Sequence, residues 1–281
     1  MLTQTLGSFP RSRVRVGQME GSTGNSPAPP PAFRNRYWIL RHGRSVPNER
    51  GLIVSSLENG TKPEFGLAPQ GVEQARSAGE SLRKELEEMG VPVDSVKICY
   101  SPFSRTTETA RVVAGVLGVP FEGPSCKATV ELRERYFGPS YELLSHEKML
   151  VCGSICFYPT IPISESSYDV QEIPLPAKQV WAIDEADPFL APEGGESVAD
   201  VASRLAGVLS SADVEFHGSA VLIVSHGDPL QIFQAVLSGA KENPSFLDDV
   251  AGLRKESLVV PSVLSQHRKF ALNTAELRRV V

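Results

Sequence analysis

The sequence predicts an α/β fold in three layers, with helices on both faces of a mostly parallel central sheet. Three observations lead there. From residue 37 onward, short apolar runs alternate with stretches of helical period. Two of those runs, Tyr37 to Leu40 and Ala220 to Val224, lead into the same step, a histidine followed by a glycine. No uninterrupted apolar stretch reaches the roughly 18 residues of a membrane span, so the apolar residues are expected to form a globular core.

Residues 1–36 read as a disordered tail. The stretch "GSTGNSPAPPPAF" is rich in Gly, Ser and Pro and lacks periodic apolar positions. Residues 1–19 carry three arginines and no acid, the composition of an organellar transit peptide. Tyr37 to Leu40 then form a strand that runs into Arg41-His42-Gly43. Residues 69–89 place Val72, Ala75, Gly79, Leu82, Leu86 and Met89 on one helical face, and Val96 to Tyr100 follow as a strand. "SRTTETARVVAGVLG" repeats the helical period through Thr106, Ala110, Val113, Ala114 and Leu117, with Gly118 placed to end it. Residues 128–132 suggest another strand and 139–148 a short helix. Val198, Val201, Ala202, Leu205, Val208 and Leu209 mark a long helix, followed by a strand at 220–224 and a helix from about 228 to 238. No second linker interrupts residues 37–281, which therefore read as one domain.

Residues 149–180 break the rhythm. They hold four prolines and two of the four cysteines without a sustained period of either kind, so they read as an atypical insertion. Its composition suits translated non-coding sequence as well as a lid.

The bulk composition narrows the chemistry. A net charge of −5 argues against a nucleic-acid surface. Four cysteines are too few for a disulfide scaffold at this length, and no histidine or cysteine pair completes a zinc set with Cys152 and Cys156. Cys99 and Cys126 read as core residues. Neither a metal nor a cofactor is expected.

In an open parallel sheet, ligands bind beyond the carboxyl ends of the strands. Three such ends deliver Arg41, His42, Arg105 and His226 to one rim. Gly43 and Gly227 let the backbone turn sharply or approach a ligand closely. A helix starting near Ser104 adds free N–H groups and a positive dipole end. The pocket so built is cationic within an acidic protein, which suits phosphate.

Arg41-His42-Gly43, the Ser-Arg-Thr-x-x-Thr-Ala segment, "ELRERYFG", "GGES" and "SHG" stand in the order found in the histidine phosphatase superfamily, the phosphoglycerate-mutase-like proteins, which this chain resembles. The resemblance covers residues 37 to about 238 and extends to a closing strand in "LNTAEL". It implies a three-layer α/β/α sandwich and a phosphohistidine formed on His42. It further implies that Arg41 and Arg105 grip phosphoryl oxygens and that His226 donates to a third. Glu134 takes the place of the general acid, with Glu131 as its rival three residues earlier. Ser45, Asn48 and Gly227 take the places of substrate contacts.

The chain also departs from the mutases. Arg44 stands where they carry an acid, Pro47 where they carry tryptophan, and no arginine follows Arg135 until Arg204. The second anionic clamp of a mutase is therefore missing. The resulting expectation is a metal-independent phosphomonoester hydrolase. The alternatives are a mutase-type phosphotransferase and a catalytically silent binding or regulatory member. Its partner would be a phosphorylated small molecule, with no nucleic acid and no membrane, and the oligomeric state is left open. A cytoplasmic location is expected, with a chloroplast or mitochondrion as the alternative through the N-terminal segment.

Overall fold

A computed structural model describes residues 33–145, 177–243, 245–253 and 262–281. Five strands form one sheet: β1 (Arg36–Arg41), β2 (Val96–Tyr100), β3 (Cys126–Ala128), β4 (Ala220–Ser225) and β5 (Leu277–Arg279). Their order is β3-β2-β4-β1-β5, and every pair is parallel except β1 with β5. β1 and β4 lie inside the sheet with both faces covered, which is why they read as continuous apolar runs. Trp38, Leu40, Leu222 and Val224 point to one face, and Tyr37, Ile39, Val221 and Ile223 to the other. The register pairs Leu40 with Val224 and Arg41 with Ser225, so the two His-Gly steps leave the sheet side by side.

The first face is covered by α3 (Pro69–Glu88) and α4 (Ser104–Leu117). Their short helices α1 (Val46–Arg50) and α2 (Leu57–Gly60) precede them in the loops above the sheet. Ala75, Ala78, Leu82 and Leu86 make the buried stripe of α3, and Gly118 ends α4 with a left-handed backbone (φ 74°). Residues 177–253 supply α5 (Ala177–Ala186), α6 (Val198–Glu215), α7 (Gly227–Glu242) and α8 (Phe246–Ala251). α6 and α7 pack on the second face. No helix among the described residues is long and apolar enough to cross a membrane.

The structure differs from expectation at five places. Phe33 and Asn35, assigned to the tail, belong to the fold: Phe33 is buried, and Asn35 bonds the carbonyl of Ala212 and the N–H of Ser219. The strand expected at 128–132 ends at Ala128: Thr129 N–H makes the last ladder bond, to Tyr100 O, and Val130–Leu132 coil into a 3₁₀ turn that buries Leu132. No helix forms over 139–145. Leu143 N–H goes instead to Ile53 O, and Ile53 N–H to Leu144 O, while residues 146–148 lie outside the described residues. The closing strand begins at Leu277, since Glu276 folds back to accept Asn273 N–H and makes 273–276 a turn. α5 was not anticipated, and its first four residues fall within 149–180; the remainder of that stretch, to 176, lies outside the described residues, as do residues 1–32.

Candidate active site

β1 delivers His42 directly. His42 N–H donates to Ser225 O at 3.0 Å, which continues the β1–β4 pairing one residue past the strand. The ring Nδ1 lies 2.7 Å from Gly43 O. A carbonyl only accepts, so Nδ1 carries the proton and Nε2 the lone pair. The turn after His42 demands glycine: a Cβ on Gly43 would collide with the Gly71 carbonyl at the start of α3, and one on Gly71 would collide with Arg44 O.

Arg105, in the first turn of α4, is buried beside that ring. Its Nε lies 3.2 Å from His42 Nε2, and its Nη2 donates to Val54 O at 3.0 Å. Arg41 anchors Nη1 on Leu272 O at 2.7 Å. The ring of His226 stands edge-on to that of His42, with centroids 5.3 Å apart, and Ser101 Oγ lies 2.8 Å from its Nε2. Around the His42 ring three buried nitrogens have no hydrogen-bond partner among the described residues: Arg41 Nε, Arg105 Nη1 and His226 Nδ1. Open donors gathered around one imidazole fit an anion.

Burial holds both histidines well below the ordinary imidazole range, and neighbouring charge adds to it. For His42 the charges are Arg105 and Arg41; for His226 Arg105 leads. Both rings are therefore neutral, as a lone-pair nucleophile and a donor require. Glu134 is the counterpart. Burial raises its carboxyl to about 7 against the opposing pull of Arg105, with Asp228 adding to the rise. Its Oε2 lies 3.8 Å from Arg105 Nη2 and 3.7 Å from His226 Nδ1. Such a carboxyl can hold a proton near neutral pH and give it up.

Arg41, His42, Arg105 and Glu134 line one cleft of about 130 Å³. Ser45 and Asn48 line it too, but each has another task. Ser45 Oγ donates to Asn48 Oδ1 and accepts from Asn48 N–H, a reciprocal cap on α1. Gly227 is outside the lining, and a Cβ there would stand 3.4 Å from the Arg41 guanidinium. Glu131 is exposed, outside the lining of this cleft.

Several supporting residues escaped the sequence. Glu196, from "GGES", binds Arg133 at 2.7 Å, Arg204 at 3.0 Å and Tyr136 N–H at 3.0 Å, fixing the segment that carries Glu134. Arg135 is fully buried, forks onto Asp184 of α5 at 2.7 and 2.9 Å, and reaches Asp228 of α7 at 3.3 Å. Glu142 gathers five donors from Ser55, Ser56 and Asn59. Glu196 and Arg135 sit inside the motifs "GGES" and "ELRERYFG", but nothing local pairs Arg135 with Asp184 or Asp228, or Glu142 with Ser55, which are 49 to 93 residues apart.

Comparison with known proteins gives one family. A sequence profile described as the histidine phosphatase superfamily (branch 1) matches residues 37–150 and 168–249, and so breaks at 151–167. Among solved structures, the mycobacterial glucosyl-3-phosphoglycerate phosphatase in complex with VO3 is 19% identical, covers 87% of this chain and 90% of its own, and superposes with a TM-score of 0.56. A phosphoserine phosphatase from Entamoeba histolytica, in complex with 3-phosphoglyceric acid, is 16% identical, with coverage of 86% and 88% and a TM-score of 0.52. At these identities the likeness is one of fold. An agropine synthesis reductase from Rhizobium rhizogenes is 34% identical over 116 residues, which are 40% of this chain. The chain spans only 24% of the length of that curated relative.

Proposed function

Since the chain belongs to the histidine phosphatase superfamily, we propose that it hydrolyses phosphomonoesters through a phosphohistidine on His42 and needs no metal to do so. The observation that carries this reading is the set of open buried donors around a neutral histidine whose Nε2 holds the lone pair. In the first step Nε2 attacks phosphorus and the bond from phosphorus to the ester oxygen breaks. The alcohol oxygen leaves with the electron pair and takes the proton of Glu134. In the second step water attacks the same phosphorus, gives a proton back to Glu134, and the phosphorus–nitrogen bond breaks to free orthophosphate and neutral His42. The net change is ester and water to alcohol and phosphate.

Arg41, Arg105 and His226 meet the phosphoryl charge with N–H donors, the work a metal does in other phosphatases. Arg105 Nε now sits on the His42 lone pair, so substrate phosphate must draw that guanidinium onto its own oxygens before attack. The catalytic unit is proposed to be one domain beginning near Phe33, and its partner a phosphorylated small molecule. The test is turnover of p-nitrophenyl phosphate by the purified full chain, with and without a chelator. Release of phosphate that survives chelation is expected. Absence of turnover, or its loss with the chelator, rejects the corresponding half of the proposal.

A further inference from the structure

Besides the cradle, five apolar residues line the cleft: Pro47, Leu52, Ile53, Val54 and Phe137. Of the other polar lining groups, Ser45 Oγ and Asn48 Oδ1 are engaged in the α1 cap, and Ser55 Oγ in a 2.8 Å bond to Glu142. Among the described lining residues the cations are Arg41 and Arg105, both of which belong to the phosphoryl cradle.

The apolar side is held rigid before any ligand arrives. Ile53 exchanges backbone bonds with Leu143 and Leu144 at 2.8 and 3.0 Å, and packs with Tyr141 and Val180. Glu142 then accepts Ser55 N–H and Ser56 N–H at 3.0 Å each, the two serine hydroxyls at 2.8 and 2.7 Å, and Asn59 Nδ2 at 2.9 Å. Five donors on one carboxylate outweigh its burial and hold it below the ordinary carboxylate range, so it stays ionised and keeps its grip. Arg105 Nη2 on Val54 O ties this wall to the cradle.

We infer that the wall is the subsite for the alcohol, and that the substrate is the phosphate ester of an uncharged alcohol with an apolar face. The inference rests on the phosphatase reading above. A carboxylate carried by the alcohol would shed its water against hydrocarbon with no cation outside the cradle to receive it among the described lining residues. A neutral alcohol loses little hydration there, and its carbon face gains contact. The only cations between Arg135 and Arg204 are Lys148 and Lys178, so the chain following the acid adds no arginine to the cleft.

The experiment compares matched esters on the full chain: glycerol 3-phosphate against 3-phosphoglycerate, and benzyl phosphate against 4-carboxybenzyl phosphate, with p-nitrophenyl phosphate as reference. The neutral member should lead each pair by about tenfold or more in kcat/KM. A second arm is Leu52→Arg, checked for folding by its melting temperature. A cation on the wall should move both ratios toward the carboxylated ester by about tenfold. Equal or better use of the carboxylated esters by the wild type, with p-nitrophenyl phosphate turned over, overturns the inference and leaves the phosphatase standing. Unchanged ratios in a folded, active Leu52→Arg protein overturn the placement of the alcohol. Failure to hydrolyse any of the five removes the phosphatase reading and this inference with it.

Discussion

Ser101 and His226 lock one another: Ser101 Oγ lies 2.8 Å from His226 Nε2, and both residues are fully buried. The same oxygen accepts Phe103 N–H at 3.4 Å, and the imidazole is the only acceptor for its own proton among the described residues. A neutral His226 must then keep its proton on Nδ1, the nitrogen 3.7 Å from Glu134. Long-range ¹H–¹⁵N correlation on labelled protein should show that tautomer. Ser101→Ala should mix the tautomers and lower kcat/KM by about tenfold or more through loss of one aligned donor. A wild-type ring protonated on Nε2 would refute the assignment.

His42→Ala should reduce turnover by several orders of magnitude, because no neighbour supplies a second lone pair at that point. Label from a radioactive phosphomonoester should attach to the wild type in an acid-labile, base-stable form and be missing from the variant. Equal labelling of the two proteins rules out His42 as the nucleophile.

The Glu134 carboxyl, raised to about 7, sets a pH dependence. Below that value the acid form is present and can protonate an alkoxide; above it the carboxylate cannot. His42 stays neutral across the same range, because its own titration lies well below. For an alkyl phosphate, kcat/KM should therefore fall about tenfold per pH unit on the alkaline side. Glu134→Gln should abolish that limb and harm alkyl phosphates far more than p-nitrophenyl phosphate, whose phenolate leaves unaided. Glu131→Gln should do neither; the opposite pattern would transfer the acid role to Glu131.

Removal of residues 151–167, where the family match breaks, should leave melting temperature and kcat/KM close to those of the full chain, since loop-closure entropy changes slowly with length. Removal of 149–180 should not, because it takes Val180, packed against Ile53 and Tyr141, together with the first turn of α5. Differential scanning fluorimetry of the two deletions reads the difference. A shorter deletion that stays folded but loses activity shows that 151–167 takes part in catalysis.

The sequence announced the sheet because β1 and β4 are buried on both faces and their centres are written in apolar residues, while β2 keeps Val96, Ile98 and Cys99 buried around one lysine. It announced the cradle because each of its members stands within a residue or a short turn of a strand end. It misplaced β3 and β5, short edge strands whose pairing is set by a neighbour rather than by their own side chains. The support beneath the cradle was silent for a related reason. Arg135 and Asp184, or Glu142 and Ser55, acquire meaning only when distant segments meet, and each looks like a surface residue in its own neighbourhood. The tasks of Ser45 were legible only in part, since the pattern that suggests a substrate contact also writes a helix cap.

The two histidines follow Arg41 and Ser225, partners in adjacent parallel strands, and their rings end up 5.3 Å apart. Neighbouring strands lie about 4.8 Å apart in any sheet. The gap between the two groups is thus a repeat distance of the backbone ladder, with its length set by peptide hydrogen bonds. It can change only in jumps: sliding one strand by a residue would carry its histidine about 3.3 Å along the rim and turn its neighbours inside out. Gradual remodelling of this enzyme, whether by selection or by design, is therefore confined to the loops above the rim, while the two histidines keep one fixed gauge.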